Sequence, residues 1–281
     1  MSAAQAAPQA PRTARGMARV AGGLRGRAGR SLPVVLTALL VLGCWQLAVA
    51  VFDIPAFILP TPATIAQAFG HDFTTIMAAS VVTVQAVLLG LLLGAVGGVA
   101  VGLVVSRFPA VSGPVLNAAV LINCAPIVAL APIFNNWFGV TSLLSKAGVA
   151  AVMVFFPVFV NTTRGLLDVS PLHLEIMESL AARPRQVALI VRLPNALPYI
   201  FNALKLGTTL AVIGVIVSEY FGGPTEALGV YIAYQAALPR FDYAWAGILV
   251  ASLLGLAMFG VVTLLERLLM PWHESLHDSQ A

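Results

Sequence analysis

The chain has 281 residues, of which 59% are hydrophobic and 9% are charged, and its formal net charge at pH 7 is +4. Soluble domains carry about 25% charged residues, so a chain of this length could not hide so much apolar surface from water. The composition excludes a soluble enzyme and predicts a polytopic membrane protein. Six arginines precede the first acidic residue, Asp53, so the positive balance reflects the start of the chain and does not indicate binding to nucleic acid.

Residues 1–29 are rich in Ala, Pro, Gly and Arg. We predict a disordered basic tail on the cytoplasmic side, where it lies on anionic membrane lipid and each arginine contributes about 1 kcal/mol. The first apolar stretch begins only near Leu32, which is later than a secretory signal would place it.

Uncharged stretches of the chain predict six transmembrane helices, because a helix needs about 20 apolar residues to cross the bilayer and a central charge is costly. The predicted helices cover about 31–52, 76–105, 113–134, 143–164, 197–218 and 243–268. A turn over residues 135–139 separates the third from the fourth. The predicted fold class is all-α: a polytopic transmembrane helical bundle in one domain, residues 30–270, followed by a cytoplasmic tail at 271–281.

The basic residues orient these helices. With residues 1–29 in the cytoplasm, all of the 15 lysines and arginines except Lys146 and Arg240 lie on the cytoplasmic side. Membrane proteins concentrate Lys and Arg in their cytoplasmic segments. We therefore predict an even number of spans, with both termini in the cytoplasm.

Two local signals refine the spans. Thr61 followed by Pro62 predicts a short interfacial helix over residues 63–69, since Thr caps helices and Pro suits the first helical position. Glycine recurs at every fourth residue from Gly90 to Gly102, which predicts that one face of the second span packs closely against a neighbour.

Residues suited to catalysis are scarce. None of the four histidines lies in a predicted span, and the chain has no Gly-rich phosphate loop ending in Lys-Ser/Thr. We predict no catalytic, cofactor or metal site in this chain. Self-contained pumps hold ionisable residues near the membrane midplane, whereas Lys205 and Glu219 lie near helix ends and Lys205 is expected to snorkel to the cytoplasmic surface. Transport driven by a partner is therefore favoured.

The most charged segment is Ser170–Tyr199, which we predict to form a cytoplasmic helix–turn–helix. Ser170 is expected to cap the first helix, with Pro171 in its first turn. The apolar residues of this helix repeat every fourth position, and acidic residues lie on its other faces. The apolar set is Leu172, Ile176 and Leu180, and the acidic set is Glu175 and Glu178.

A second helix is predicted to begin at Pro184, to turn Val187, Ile190 and Val191 inward, and to end at Leu193-Pro194. A helix that lies on lipid carries a basic polar face, whereas the first helix of this loop places Glu175 and Glu178 beside an anionic membrane. We therefore interpret the loop as a docking surface for another protein.

These residues resemble the membrane permease subunit of bacterial ATP-binding-cassette (ABC) importers of the binding-protein-dependent type. The cytoplasmic loop of that family reads E-A-A, three residues, G, nine residues, I-x-L-P. Aligned on Leu193-Pro194, the chain places Glu175, Ala181 and Val191 at the glutamate, glycine and isoleucine positions. The other similar segments are Leu59-Pro60-Thr61-Pro62, Ala125-Pro126 through Trp137-Phe138-Gly139, and Leu193 to Pro198, so the resemblance covers about residues 31–270.

The resemblance implies a type I ABC importer permease fold, with residues 165–195 as the loop that couples to the ATPase. It also implies three partners: two copies of a cytoplasmic ATP-binding subunit, an extracytoplasmic solute-binding protein, and a second permease copy that we expect to form a homodimer. The partner subunit would use the ATP, and this chain would hold no cofactor. The predicted coupling residues are Glu175, Glu178, Leu180, Ala181, Val191, Leu193 and Pro194.

Polar residues within the spans are the candidates for the translocation path. They are Gln85, Asn117, Asn123, Asn161, Thr208, Thr209 and Glu219. An interhelical hydrogen bond that only stabilises packing explains each of them equally well. Glu219, expected near the outer end of a span, is also a candidate for shaping a periplasmic gate.

Within the family, the nearest branch imports nitrate, sulfonates, taurine, or the pyrimidine precursor of thiamine and related vitamins. Residues 210–219 are more similar to the thiamine-precursor and riboflavin members. We predict a multi-pass permease of the bacterial inner membrane for a small organic or anionic solute, in particular a thiamine-pyrimidine precursor or a similar vitamin-like compound. The alternatives are an importer of sulfonate, taurine or nitrate and, from other classes, a stand-alone secondary carrier or a membrane scaffold.

Overall fold

The computed structural model describes residues 33, 35–123 and 125–271, and the regular elements within these ranges are helical. In chain order they are α1 (Val35–Val51), α2 (Pro62–His71), α3 (Phe73–Val105), α4 (Pro109–Asn123), a 3₁₀ turn (Ile127–Leu130), α5 (Ala131–Phe138), α6 (Leu143–Leu167), α7 (Pro171–Ser179), α8 (Pro184–Val187), a π-helical turn (Ala188–Arg192), α9 (Leu193–Tyr220), α10 (Leu228–Ala237) and α11 (Phe241–Leu269). The predicted tail at 1–29 lies outside the described residues, as does the tail at 271–281 except for its first residue.

The chain divides into two compact units between Thr64 and Ile65. The first unit contains α1 and the start of α2, where Thr61 accepts the Thr64 N–H at 3.2 Å and caps the helix as predicted. The second unit contains the helices from α3 onward and all of the sites described below.

Four helices are long and apolar enough to cross a membrane. They are α3, α6, α11 and the continuous helix Pro184–Tyr220, which joins α8, the π turn and α9 and which we call the long helix. The helices α1 and α4 are apolar but shorter. These six correspond in order to the six predicted spans, and the predicted all-α transmembrane bundle is confirmed.

The third predicted span, about 113–134, is wrong as a single helix. In the structure α4 ends at Asn123, a 3₁₀ turn follows, and α5 begins at Ala131. Pro126 lacks the N–H that a continuous helix needs, and its ring disfavours the helical conformation of the residue before it. The proline therefore divides this apolar segment into two helices.

The second unit is built on the close approach of α3 to α6, as the glycine stripe predicted. A Cβ atom at Gly94 would lie 2.6 Å from the carbonyl oxygen of Ala151, and one at Gly98 would lie 2.9 Å from the backbone nitrogen of Phe159. Because these positions have no side chain, the two backbones touch. Such close contacts replace the hydrophobic driving force that is absent between helices in lipid.

Helix α9 packs against α6 and also reaches α3, since a Cβ at Gly207 would lie 3.2 Å from Val154 and 3.5 Å from Leu91. Gly165 of α6 lies against Ala196 and Tyr199 of α9, and Gly214 of α9 lies against Ala150 of α6. Helix α11 covers the next face of α9. The long helix therefore occupies the centre of the second unit.

The predicted helix end at Leu193-Pro194 is wrong, because the long helix continues through both residues. The N–H of Leu193 donates to the carbonyl of Ala188, five residues earlier, which is the hydrogen-bond pattern of a π helix. This wider turn just before Pro194 gives room for the proline ring, which would otherwise clash with the preceding turn.

The two ends of the long helix define two ends of the second unit. The loop end carries residues 168–183, before the long helix, and the cap end carries residues 221–240, after it. Helix α10, which was not predicted, lies at the cap end, where the Tyr231 hydroxyl donates to Asp72 at 3.0 Å. Burial, together with this hydrogen bond, raises the pKa of Tyr231, so that the phenol remains a donor.

We expect Gly94→Ala to destabilise the bundle, because the added methyl group would meet Ala151 and Val154 atoms at 2.6 and 2.7 Å. Overpacking of this kind costs about 1–3 kcal/mol, so the thermal midpoint of the detergent-solubilised protein should fall. Gly97→Ala is the matched control, since it brings the same gain in helix propensity but its nearest contact is 3.4 Å away. Equal midpoints for the two variants would contradict the close packing.

Candidate functional site: the loop and the buried polar cluster

The loop begins with α7, and Pro171 lies in its first turn as predicted. The Ser170 side chain makes no capping hydrogen bond, so that prediction is wrong. The carbonyl of Ser170 instead accepts the N–H of His173 at 3.0 Å, which closes the first turn through the backbone.

The apolar face of α7 is uncovered. Leu172, Ile176 and Leu180 are 61%, 48% and 71% exposed, and Glu175 and Glu178 beside them are exposed as well. An apolar face that remains open to solvent on a charged loop is typical of a docking surface. We call these five residues the loop face.

The turn after α7 is a Schellman motif. The N–H of Ala182 donates to the Met177 carbonyl at 3.0 Å, and the N–H of Ala181 donates to the Glu178 carbonyl at 2.8 Å. Ala181 has φ 48°, a left-handed conformation that favours glycine at this position of the motif. Ala181 is the residue that aligns with the family glycine, so the backbone keeps the glycine geometry while the side chain adds strain.

The second loop helix starts without the usual small polar cap. Arg183 precedes Pro184, and the Gln186 side chain accepts the Arg183 N–H at 2.7 Å. Val187 and Val191 are half-buried as predicted, but Ile190 is 63% exposed, so its predicted inward orientation is wrong. Ile190 instead lines the open groove between α7 and the long helix.

Hydrogen bonds close the base of the loop. The Asn195 amide donates to the carbonyls of Gly165 and Asp168 at 2.9 and 2.8 Å, and the Tyr199 hydroxyl donates to the Asp168 carboxylate at 2.5 Å. Asn195 thus satisfies two of the carbonyls that α6 leaves unpaired at its end. This base clasp (Asp168, Asn195 and Tyr199) fixes α6 and the long helix to each other on either side of the loop.

A groove of about 540 Å³ lies above the base clasp, between α7 and the long helix. It is lined by His173, Ile176, Met177, Ile190, Val191, Pro194, Asn195, Pro198 and Tyr199. Of the predicted coupling residues, the structure thus places Val191 and Pro194 in the groove and Glu175, Glu178 and Leu180 on the loop face.

The predicted path residues do not form one group. Four of them have exposed side chains: Gln85, Asn117, Asn123 and Thr209. Thr208 is buried, and its hydroxyl donates to the Lys205 carbonyl at 2.7 Å, whereas the Asn161 amide donates to the Pro157 carbonyl at 2.8 Å. Each of these two side chains therefore bonds to a backbone carbonyl of its own helix. Asn202, exposed on α9, was not predicted.

Lys205 does not snorkel to the surface. Its ammonium lies 2.5 Å from the Glu266 carboxylate of α11, and both side chains are largely buried. A charge within the bundle is much less costly when paired, so Lys205 joins α9 to α11 instead of reaching the cytoplasmic surface.

Glu219 belongs to a buried polar cluster at the cap end. It is 2% exposed, and it accepts the Thr83 hydroxyl at 2.9 Å and the Gly229 N–H at 2.8 Å. Thr83 in turn accepts the N–H of Leu228 at 3.0 Å. The cluster joins α3, α9 and α10.

Lys146 forms the second half of this cluster. Its ammonium donates to Asn135 at 2.6 Å and also contacts the Gly222 carbonyl, while the Ser145 hydroxyl donates to the same Asn135 oxygen at 2.6 Å. Sequence patterns placed Lys146 in an outer segment and Asn135 in a turn. The unusual charge in an apolar stretch was the one available signal for this site.

With this geometry established, comparison with known proteins identifies the family. Residues 86–270 match the family described as "Binding-protein-dependent transport system inner membrane component". The chain belongs to this family. The permease is therefore a multi-pass inner-membrane component of an ABC importer, and the predicted resemblance is confirmed.

Relatives of the permease cover nearly its whole length. It is 31% identical to the formylaminopyrimidine transport permease protein ThiX of Halalkalibacterium halodurans, over 88% of this chain and 98% of the relative. It is 32% identical to the riboflavin transport system permease protein RibX of Chloroflexus aurantiacus (87% and 90%) and 30% identical to the putative aliphatic sulfonates transport permease protein SsuC of Bacillus subtilis (88% and 88%).

A solved structure confirms the fold. The crystal structure described as an amino acid ABC transporter with histidines aligns with a TM-score of 0.57 at 16% identity, over 71% of the permease and 96% of that chain. The predicted type I permease fold is thereby confirmed, and this distant likeness carries information on fold alone.

We expect Ala181→Gly to stabilise the loop turn of the permease by up to about 1 kcal/mol, because glycine removes the left-handed strain at φ 48°. Hydrogen exchange at the Ala182 amide, which closes the Schellman motif, should slow down. Ala182→Gly is the neighbouring control and should speed exchange in the turn, since it adds flexibility without relieving strain. Faster exchange in Ala181→Gly would contradict the strained turn.

Proposed function

We propose that the permease couples to a cytoplasmic ATPase through the loop face and imports an uncharged heterocyclic solute, such as a thiamine-pyrimidine precursor or a similar vitamin-like compound. The observation that carries the coupling is the open apolar face of α7, flanked by Glu175 and Glu178. The chain itself holds no cofactor in this proposal, and the partner ATPase uses the ATP.

The charge distribution supports a cytoplasmic loop end. Arginines occupy the last turns of α6 and α11 at this end, at Arg164 and Arg267, whereas Lys146 and Arg240 belong to the cap end. Since cytoplasmic segments are enriched in Lys and Arg, the cap end faces outward. With six spans, both termini are in the cytoplasm.

The loop face fits a protein partner better than lipid. Its exposed leucines and isoleucine provide apolar contact area, and its two glutamates would be repelled by anionic headgroups but attracted to a basic surface. The base clasp joins the end of α6 to the long helix, on either side of the loop. Because the chain on either side of α7 leads into these two joined helices, a displacement of α7 would act on both spans.

Leu180→Asp or Glu175→Arg should abolish binding of the ATPase, because each reverses the chemistry of an exposed contact. Substitution of a central contact residue costs about 2 kcal/mol or more, which corresponds to a loss of affinity of more than tenfold. Co-purification of an ATPase with the tagged permease measures the effect.

Glu226→Arg is the matched control for this experiment. Glu226 is also an exposed carboxylate, but it lies at the cap end. Binding that survives Leu180→Asp and Glu175→Arg would exclude the loop face as the coupler.

The family description names a binding-protein-dependent system, which supports an extracytoplasmic solute-binding protein as a further partner. We propose two permease copies, as a homodimer, together with two ATPase copies. The mass of the purified complex tests this composition.

The charges of the spans support an uncharged solute. Among the described residues, Lys146, Lys205 and Glu219 are turned into the protein and have partners there. The exposed polar side chains away from the helix ends in the described spans are uncharged: Gln85, Asn117, Asn202, Thr209 and Ser252. An anion crossing the apolar interior would find no fixed cation on these surfaces to replace its hydration.

An importer of sulfonate, taurine or nitrate is the second candidate, because the relatives include putative aliphatic sulfonates permeases and a taurine transport system permease. The two candidates differ in solute charge. The resemblance of residues 210–219 to thiamine-precursor and riboflavin members, together with the uncharged span surfaces, supports the heterocyclic solute in this proposal.

Cells with and without the permease should differ in ATP-dependent uptake of labelled formylaminopyrimidine, and excess taurine should leave that uptake unchanged. The Glu226→Arg permease should transport like wild type, and the Leu180→Asp permease should not. Permease-dependent uptake of taurine would overturn the proposed solute class while leaving the importer intact. Uptake by the isolated permease in vesicles without ATP would instead support a stand-alone carrier.

A further inference from the structure

Helix α10 starts without a capping side chain of its own. Ala227 precedes it and provides no side-chain oxygen for the first N–H groups of the helix. The N–H of Leu228 instead donates to Thr83 at 3.0 Å, and that of Gly229 donates to Glu219 at 2.8 Å. Two other helices, α3 and α9, therefore cap α10.

The three helices meet without water-accessible space between these groups. Thr83 and Leu228 are fully buried and Glu219 is 2% exposed. A Cβ at Gly229 would lie 2.6 Å from the Ile216 carbonyl and 2.7 Å from the Glu219 Cβ, so glycine lets α10 rest directly on α9. A carboxylate in such a place is stabilised by N–H donors and by the positive end of a helix dipole.

Glu219 is also the penultimate residue of the long helix, whose first residue, Pro184, belongs to the loop. The helix is held to α6 by the base clasp at one end, and at the other end Gly222 contacts Lys146, whose charge acts on Glu219. A single helix thus connects the loop to α10.

We propose that Glu219 and Thr83 are positioning residues that clamp α10 to the long helix, so that displacement of the loop by the ATPase is transferred to α10 at the extracytoplasmic face. The proposal rests on the function proposed above. In this proposal Glu219 transmits movement between helices during the transport cycle and does not contact the solute.

The clamp predicts that α10 responds to the state of the ATPase. In the importer complex purified through a tag on the permease, hydrogen exchange of residues 228–237 should differ between the nucleotide-free complex and the complex trapped with ATP and orthovanadate. Thr83→Val keeps the side-chain volume but removes both hydrogen bonds. It should make α10 exchange about tenfold faster, as loss of a charge-assisted bond implies, and should make its exchange equal in the two states.

Thr83→Ser restores the hydroxyl and should restore the dependence on nucleotide state, which a merely structural defect would not predict. Glu219→Ala should behave as Thr83→Val, and Glu226→Gln, which removes an exposed carboxylate nearby, should behave as wild type. If Glu219→Ala does not assemble, the two Thr83 variants suffice.

An α10 that keeps its response in Thr83→Val, or that shows no response in wild type, overturns the clamp. Failure of any ATPase to co-purify with the wild-type permease would instead overturn the proposed function.

Discussion

The structure depends on hydrogen bonds by which side chains of one helix close the ends of its neighbours, at the loop end and within the buried cap end. In hydrocarbon each unsatisfied backbone group costs several kcal/mol, so helix ends need partners from the protein itself. Asn195 provides them for the end of α6, and Thr83 and Glu219 provide them for the start of α10. Because Asn195 and Glu219 both lie on the long helix, satisfying these groups also fixes its two ends to the neighbouring spans.

The glycine contacts between α3 and α6 act with these bonds. Close backbone packing leaves α3 and α6 little freedom to slide past each other. We therefore expect the two helices to move together as one unit, without either of them bending. The π turn at Ala188–Arg192 lies just outside the packed region, between the exposed loop face and the base clasp. Such turns are frequent at functional sites, and here it adjoins the surface that we propose for the ATPase.

The charges of the permease divide between two uses. Those within the spans hold helices together, as Lys205 does with Glu266 and Lys146 with Asn135 and Gly222. Those at the loop end are exposed and available to partners. This division fits the coupling to an ATPase proposed above, because Lys146, Lys205 and Glu219, which lie away from the loop end, already have partners inside the protein.

Composition, charge asymmetry and the glycine repeat were sufficient to predict the all-α membrane bundle and the glycine contacts, since these are local or periodic properties of a chain. The family was predicted from the resemblance of the loop residues to a known motif. The sequence also located the loop face. The partners of Glu219 could not be read from it, because Thr83 is 136 residues away and any buried hydroxyl or amide could have served. Helix α10 and the Lys146 site were missed for the same reason. Only the packing of α3, α6 and α9 decides which polar groups meet, and at Pro194 it also decides that a helix continues where the local sequence favours an end.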